Sequence, residues 1–243
     1  WNATLSHSTI GSGSVSTLSL TITNPHAEPV TDIDFRFDFP TGMSVMLPSD
    51  TFTTCDGGLL TAPESGNTIS FRGGTVPGNT NCTVSVDITA TTQGSYTAIS
   101  EDLTSSAGNS GSVQFVFTVA TDRPGFKMRF SPSEAILNQV VRLIYTIDNS
   151  LNGSVYYTYN FTNTLPAGMV FAEFPNIQST CLTGLQARPG STSISFSTIT
   201  IIPAYTICEV ALSVKTTQWQ PDFSNYAGQL VSAFNLNSGK ASA

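Results

Sequence analysis

The residues with the most reactive side chains in this 243-residue chain are four cysteines, and their spacing is regular. Cys55 and Cys82 lie 27 residues apart, Cys181 and Cys208 repeat that separation, and 126 residues relate one pair to the other. A structural zinc site would need closer cysteine spacing and further ligands, and neither histidine recurs in the second half. We therefore predict one disulfide per half, each stabilising its half by about 3–4 kcal/mol.

Structural disulfides persist in oxidising compartments, so the cysteines predict an extracellular or cell-surface location. No apolar run approaches the length of about 18 residues that a membrane span needs. The first four residues have neither a basic start nor an apolar stretch, so the sequence does not open with a signal peptide. If the protein is secreted, we expect this sequence to be the mature form or an excised piece.

Catalytic constellations are hard to assemble from these residues. A Ser-His-Asp triad would have to use His7, near the start of the chain, or His26, in a proline-containing turn at 24–29. No nucleophile elbow, phosphate-binding glycine loop or His-Glu-x-x-His motif is present. We predict that the protein is not an enzyme and that it has no catalytic residues and no cofactor.

Acidic residues are concentrated in the first half of the chain. Residues 1–122 carry a net charge of −9, and residues 123–243 carry +2. The imbalance predicts a solvated acidic surface or, alternatively, a first domain that meets the less acidic second domain of a neighbouring molecule. Asp32, Asp34 and Asp38 could join a calcium site, but the cluster does not recur, so we predict no metal. Basic patches with interleaved aromatic residues are absent, which argues against nucleic acid as a partner.

The two halves repeat one sequence pattern. Pro-Thr-Gly-Met at 40–43 recurs as Pro-Ala-Gly-Met at 166–169, and Thr-Ile-Thr-Asn at 21–24 recurs as Thr-Ile-Asp-Asn at 146–149. Apolar and polar residues alternate with the period of a strand, as in 33–39 and 82–88, and turn residues separate these runs. The pattern predicts an all-β protein with two tandem immunoglobulin-like Greek-key sandwiches, one disulfide each, at residues 1–122 and 123–243.

A family resemblance follows from the order of these motifs. The chain has Leu-Thr-Ile-Thr-Asn-Pro at 20–25, a strand that ends in Pro-x-Gly-Met, then Cys55, and then a proline-glycine turn before the strand that begins at Cys82. This order resembles the bacterial conserved-repeat domain, the domain of unknown function eleven superfamily. The resemblance implies the sandwich fold and a secreted or surface setting. It implies no ligand site, because the family's usual aspartate before the conserved proline is replaced by Phe37 and Asn163.

The second repeat lacks the last strand that the first repeat has. After Asn-Ser-Gly at 109–111 the first repeat continues into an alternating strand at 113–119, whereas after 237–239 the sequence given continues for only four residues. Three explanations fit: a segment of a longer array, an open-edged domain, or a strand supplied by another molecule. Trp1, Ala3 and Leu5 alternate and form the candidate inter-subunit strand.

The leading functional hypothesis is a structural subunit of an extracellular filament or cell-surface stalk, with copies of itself as partners joined head to tail. The alternatives are an adhesin-type module that binds surface glycans or a host surface, or a segment of a longer covalent array. Exposed aromatic residues would serve such a module, and the candidates are Trp219 and the tyrosines 156, 157 and 159. Four sequons are candidate glycosylation sites: Asn2, Asn81, Asn152 and Asn160. We expect the Asn160 site to be too buried for modification, because Asn160 flanks Phe161.

Overall fold

The computed structural model describes residues 1–154, 156–180, 186–232 and 235–243. The side chains at 156–158 and 197–201 lie outside the described part of the chain. The described residues form strands, turns and loops, without a helix. They divide into two compact units. Unit 1 comprises Trp1–Ser8 and Val15–Val119, and unit 2 comprises Thr9–Ser14 and Ala120–Ala243.

Strands β1 to β13 cover the first repeat. They are β1 (Asn2–Leu5), β2 (Thr9–Ile10), β3 (Val15–Asn24), β4 (Val30–Asp38), β5 (Met43–Val45), β6 (Phe52–Thr53), β7 (Asp56–Thr61), β8 (Thr68–Val76), β9 (Thr80–Ala90), β10 (Gly94–Ile99), β11 (Thr104–Ser105), β12 (Gly108–Asn109) and β13 (Gln114–Val119). β2 lies in the segment that belongs to unit 2.

Unit 1 is a sandwich of two antiparallel sheets. One sheet has the strand order β1-β3-β9-β5, with β6 also paired to β9. The other has the order β12-β11-β4-β8-β7. A bridge between Phe37 and Ser100 joins β4 to the end of β10, which pairs with β13. Because consecutive strands pass from one sheet to the other, the topology is the immunoglobulin-like Greek key.

Alternation along the strands builds the core of unit 1. On β3, Leu18, Leu20 and Ile22 are buried while their neighbours are not fully buried, as expected for a sheet with one face inside. Phe35 of β4 stacks on Phe71 of β8 with ring centroids 5.7 Å apart. Such aromatic and aliphatic burial is the main favourable contribution to folding.

Strands β14 to β23 cover the second repeat. They are β14 (Gly125–Ser131), β15 (Val140–Asp148), β16 (Tyr156–Thr164), β17 (Met169–Phe171), β18 (Gln178–Ser179), β19 (Ser193–Ile202), β20 (Ile207–Thr216), β21 (Tyr226–Ala227), β22 (Val231–Ser232) and β23 (Ala241–Ser242).

Unit 2 repeats the sandwich. One sheet has the order β14-β15-β20-β17, with β18 on β20, and the other has β19-β16-β21-β23, with β22 on β16. An aromatic cluster fills the space between them: Phe161 lies 4.3 Å from Phe196 and 5.0 Å from Tyr145 between ring centroids. The predicted all-β, tandem immunoglobulin-like fold is confirmed.

One residue of the predicted strand pattern departs from alternation. Asp87 of β9 falls on the face that the alternation assigns to solvent, but it is fully buried. The 46–49 loop covers it: Met46 N donates to Asp87 O and Asp87 N donates to Ser49 O. Thr17 Oγ1 donates a 2.6 Å hydrogen bond to the carboxylate, which compensates for part of its lost hydration.

Candidate functional site

The first predicted disulfide is present. Cys55 and Cys82 are bonded, with 4.9 Å between their Cα atoms, and join the loop between β6 and β7 to β9. Cys55 N donates to Thr53 Oγ1 at 3.0 Å, and both cysteines are buried. The bond ties a crossing segment of the sandwich to its central strand.

Only one cysteine of the second predicted disulfide lies within the described residues. Cys208 lies on β20 and is buried in the core of unit 2, at the position that Cys82 has in unit 1. Cys181 lies outside the described residues. The Cys181–Cys208 bond therefore stays a prediction.

The candidate inter-subunit strand lies within unit 1. Ala3 and Leu5 belong to β1, which pairs with β3 in the register Asn2↔Thr21 to Leu5↔Leu18. The Trp1 ring lies 5.4 Å from Phe35 and 6.3 Å from Phe37, and its indole N–H donates to Gly111 O at 2.9 Å. Donation of this strand to a neighbour would first require these contacts to open.

In unit 1, a long strand completes the sheet edge. β13 pairs with β10 over six residue pairs, from Gly94↔Val119 to Ile99↔Gln114. Phe115, Phe117 and Val119 alternate inward and are buried. Phe115 alone contacts two aromatic rings of the β4 region at centroid distances of 5.8 and 6.4 Å.

At the equivalent edge of unit 2, where the sequence predicted no closing strand, a short one is present. β23 pairs with β21 as Tyr226↔Ser242 and Ala227↔Ala241, and one further pair of hydrogen bonds joins Asn225 to Ala243. Residues 221–225, which correspond to all of β10 but its last residue, contain no strand. Ala243 stands where Phe115 stands in the first repeat, so a shorter side chain packs at this position.

A polar cluster is buried beside this short strand. Asn163 Nδ2 donates to Tyr145 Oη at 2.7 Å, and the Nδ2 atoms of Asn163 and Asn225 each lie 3.4 Å from Met128 Sδ. The Oδ1 atoms of both asparagines are buried without a hydrogen-bond partner among the described residues. Burial raises the pKa of Tyr145, an effect that the hydrogen bond from Asn163 partly offsets. Unit 1 has Phe37, Leu20 and Ala98 at the corresponding positions, so this cluster distinguishes the second repeat.

The carboxylates of the candidate calcium site form hydrogen bonds or an ion pair with nearby residues of unit 1. Arg36 forms an ion pair with Asp38 at 2.6 Å, and together with Thr68 this interaction holds the pKa of Asp38 below its usual value. Asp34 Oδ1 accepts from Gly73 N at 2.7 Å, and Asp32 Oδ2 accepts from Thr31 Oγ1 at 2.9 Å. Across the described part of the chain, no three His, Cys, Asp or Glu side chains are grouped as a metal site would require.

The sequons differ in exposure. Asn2, Asn81 and Asn160 are exposed, whereas Asn152 is buried and its Oδ1 accepts from Ser154 N. The expectation that the Asn160 site is buried was wrong, because Asn160 is exposed. Strand alternation turns Asn160 outward while Phe161 turns inward, and Asn152 is instead drawn into a turn that its own side chain closes.

Among the candidate binding aromatics, Trp219 is 75% exposed, whereas Tyr159 is buried in the core. The side chains of tyrosines 156 and 157 lie outside the described residues. Loop hydrogen bonds hold the segment around Trp219: Thr217 N donates to Gly168 O at 2.7 Å, and Gln220 Nε2 donates to Ala167 O at 2.9 Å.

Sequence reasoning missed a groove on unit 2. Its volume is about 660 Å³, and it lies over the buried rings of Phe161 and Phe196. Asn160, Ser195, Gln229 and Lys240 contribute to its lining. No motif marks it, because its residues come from three separate strands and a loop.

The chain is a tandem-repeat immunoglobulin-like protein. Its first sandwich contains the Cys55–Cys82 disulfide, and a second disulfide is predicted for the other sandwich. The chain belongs to the family described as Domain of unknown function (DUF7933), whose pattern matches at residues 3–119 and 124–243. The predicted membership of the domain of unknown function eleven superfamily is not confirmed by this match. No curated protein matches the sequence.

Three solved structures with overall similarity to this chain share little sequence identity with it. The collagen adhesin of S. aureus is 14% identical with a TM-score of 0.34, over 99% of this chain and 90% of that chain. The type II cohesin dyad of the ScaA scaffoldin of Acetivibrio cellulolyticus is 10% identical with a TM-score of 0.34, over 99% and 95%. The Enterococcus faecalis MSCRAMM ACE is 10% identical with a TM-score of 0.35, over 99% and 93%. Similarities this low do not bear on the function of this chain.

Within the described residues, no helix is long and apolar enough to cross a membrane.

Proposed function

We propose that the chain is a non-enzymatic structural subunit of an extracellular filament or cell-surface stalk. In this proposal, subunits join head to tail when a β-strand from one copy completes the edge of unit 2 in the next. The observation that supports it is the difference between two equivalent edges: six paired residues of β13 in unit 1 and two of β23 in unit 2.

An incomplete sheet edge favours the addition of a strand. Backbone donors and acceptors along such an edge pair readily with another extended segment. In the first repeat the completing strand buries Phe117 and Val119, so a strand that completes unit 2 should also alternate, with apolar residues facing inward. Because the donor and acceptor surfaces differ, the contact is heterologous and extends into a filament.

An extracellular setting follows from the same proposal. The buried Cys55–Cys82 bond is of a kind that persists outside the reducing cytoplasm.

The candidate donor is the N-terminal segment with Trp1, Ala3 and Leu5. It alternates in the required way, and its four-residue ladder with β3 is short. To donate, it would exchange that ladder, and the contacts of Trp1 with two phenylalanine rings, for an equivalent ladder on a neighbour.

The test is a chain that completes its own edge. Residues Val-Phe-Thr-Val, copied from 116–119, are appended directly after Ala243, in register with β13. We expect this variant to stay monomeric in sedimentation velocity and negative-stain electron microscopy, while the unmodified chain forms fibres. A control extension, Val-Ser-Thr-Ser, keeps the length but lacks the inward apolar side chains and should leave assembly intact.

Two results would contradict the proposal. If the unmodified chain stays monomeric up to high concentration, no strand exchange between copies takes place, and the edge is completed in another way, such as by a longer covalent array. If the self-completing variant still forms fibres like the unmodified chain, assembly does not use this edge.

A second candidate function is that of a binding module, and the exposure of Trp219 favours it. Large aromatic rings on a fixed loop bind sugars and protein surfaces at low entropic cost. The loop from Thr216 to Ala227, which contains Trp219, is also one residue longer than its counterpart from Ala90 to Ser100 in the first repeat.

The binding hypothesis predicts that Trp219→Ala lowers binding of the full chain on a glycan array by about tenfold or more, since a buried aromatic anchor contributes at least 1.4 kcal/mol. The matched control is Tyr205→Ala, another exposed aromatic residue of unit 2. Equal binding by both variants and the unmodified chain would remove Trp219 as a binding residue.

A further inference from the structure

Both repeats have the same tight turn before their second strand. Ser14 N donates to Gly11 O at 3.1 Å, and Gln139 N donates to Ile136 O at 3.1 Å. The third residue is left-handed in both turns, with φ of 71° at Gly13 and 66° in the second repeat. The turns at 11–14 and 136–139 are therefore equivalent.

The first turn is buried within unit 2. Gly11 N donates to Ser238 O at 3.0 Å, and Phe126 N donates to Ser14 Oγ at 2.8 Å. A Cβ on Gly11 would lie 1.9 Å from Pro124 O, so only glycine allows this approach of one backbone to another. Both hydrogen bonds join this turn to backbone atoms of the second repeat.

The second turn instead presents apolar side chains to solvent. Ile136 is 76% exposed, Leu137 is 48% exposed, and the adjoining Val140 is 51% exposed. Single exposed apolar residues are common on protein surfaces, but three within five residues of one turn are unusual and suggest an interaction site.

The backbone of the second turn is nevertheless fixed. Asn138 N donates to Thr216 O at 3.0 Å, Thr216 Oγ1 donates to Ile136 O at 2.8 Å, and Ile136 N donates to Gln139 Oε1 at 2.9 Å. A partner that binds the patch therefore pays little of the entropy of ordering a mobile loop.

We propose that Ile136, Leu137 and Val140 form a docking patch for the first unit of a second copy of this chain. The inference rests on the proposed function, to which it adds a second contact beside the completed strand. Charge favours this occupant, because residues 1–122 carry −9 and residues 123–243 carry +2. Ile136 stands where Gly11 stands in the first repeat and excludes the close backbone approach made there. The contact between copies is therefore made by side chains, which suits two chains that associate after each has folded.

The test measures self-association of the full chain by sedimentation velocity over a range of concentrations, for the unmodified protein and for Ile136→Ser and Leu137→Ser. We expect each substitution to raise the dissociation constant about tenfold or more, since each removes a large apolar side chain from the contact. The control is Phe174→Ser, which removes an aromatic ring that is 78% exposed in unit 2 but lies outside the turn. It should associate like the unmodified chain.

The outcomes separate this inference from the proposed function. Association that is equal in all four proteins, and that the Val-Phe-Thr-Val extension abolishes, would overturn the patch and leave strand addition standing. A closed dimer that Ile136→Ser dissociates would show that the patch binds a second copy of itself, and would overturn the choice of the first unit. An unmodified chain that never associates would overturn both.

Discussion

At the scale of single residues, Tyr145 shows how the second repeat differs from the first. Its ring lies in the aromatic core of unit 2, and its hydroxyl accepts from Asn163, whereas the first repeat has Leu20 at this position. The hydroxyl is almost fully removed from water, so ionisation would place a charge in the core. Burial therefore raises the pKa of Tyr145 well above that of a free tyrosine.

This pKa shift predicts an alkaline loss of stability in unit 2. An unfolded tyrosine ionises near pH 10, while folded Tyr145 stays neutral, so the folded state binds the proton more tightly. The contribution is complete below about pH 10 and is lost as the pH rises toward the folded pKa, at up to about 1.4 kcal/mol per pH unit. Urea unfolding followed by circular dichroism between pH 8 and 11 measures it.

The comparison variant is Tyr145→Phe. At neutral pH it should be less stable by about 1 kcal/mol, because Asn163 loses its hydrogen-bond acceptor. Above pH 10 its stability should fall less steeply than that of the unmodified chain, because the residue that ionises is gone. Parallel profiles for the two proteins would show that Tyr145 does not govern the alkaline transition.

At the scale of secondary-structure elements, the Cys55–Cys82 bond joins the loop before β7 to β9. Replacing both cysteines with alanine should lower the free energy of unfolding of unit 1 by about 3–4 kcal/mol, since the unfolded chain regains the freedom of the closed loop. The unfolding transition of unit 2 should keep its midpoint.

Differential scanning calorimetry resolves this prediction if the two units unfold separately. A single transition that shifts as a whole would instead mean that the units unfold together. An unchanged profile would contradict the assigned stabilising role of the disulfide. Reduction of the unmodified chain opens the bond without changing the side-chain volume, but it also opens the predicted Cys181–Cys208 bond, so it should lower the stability of both units.

The sequence predicted the elements well, because alternation and turn residues act locally. It identified the strand that begins at Cys82 and the pairing of Cys82 with Cys55. It misplaced Asp87 and Asn160, because the burial of one residue depends on which loop covers its strand. Nor did it reveal the buried contacts among Met128, Asn163 and Asn225, since 97 residues separate the first from the last. Such contacts depend on packing between sheets, which a period of two does not encode.

At the scale of the whole molecule, the repeats in the sequence and the compact units are not identical. Thr9–Ser14 lies between β1 and β3 of the first sandwich in sequence but belongs to unit 2. No composition change marks this segment, because its glycines and serines resemble an ordinary turn. The repeat pattern predicted two sandwiches. The assignment of Thr9–Ser14 to unit 2 follows only from the contacts in the folded chain.

The placement of Thr9–Ser14 also sets an order of events during synthesis. Ser14 is made 112 residues before Phe126, whose backbone N–H it accepts. At about 5–20 residues per second, the segment waits on the order of ten seconds for its partner to leave the ribosome. The first sandwich can form its sheets in that interval, but this turn is seated only after the second repeat has begun to fold. A fragment cut between the repeats would carry the segment without the surface that buries it.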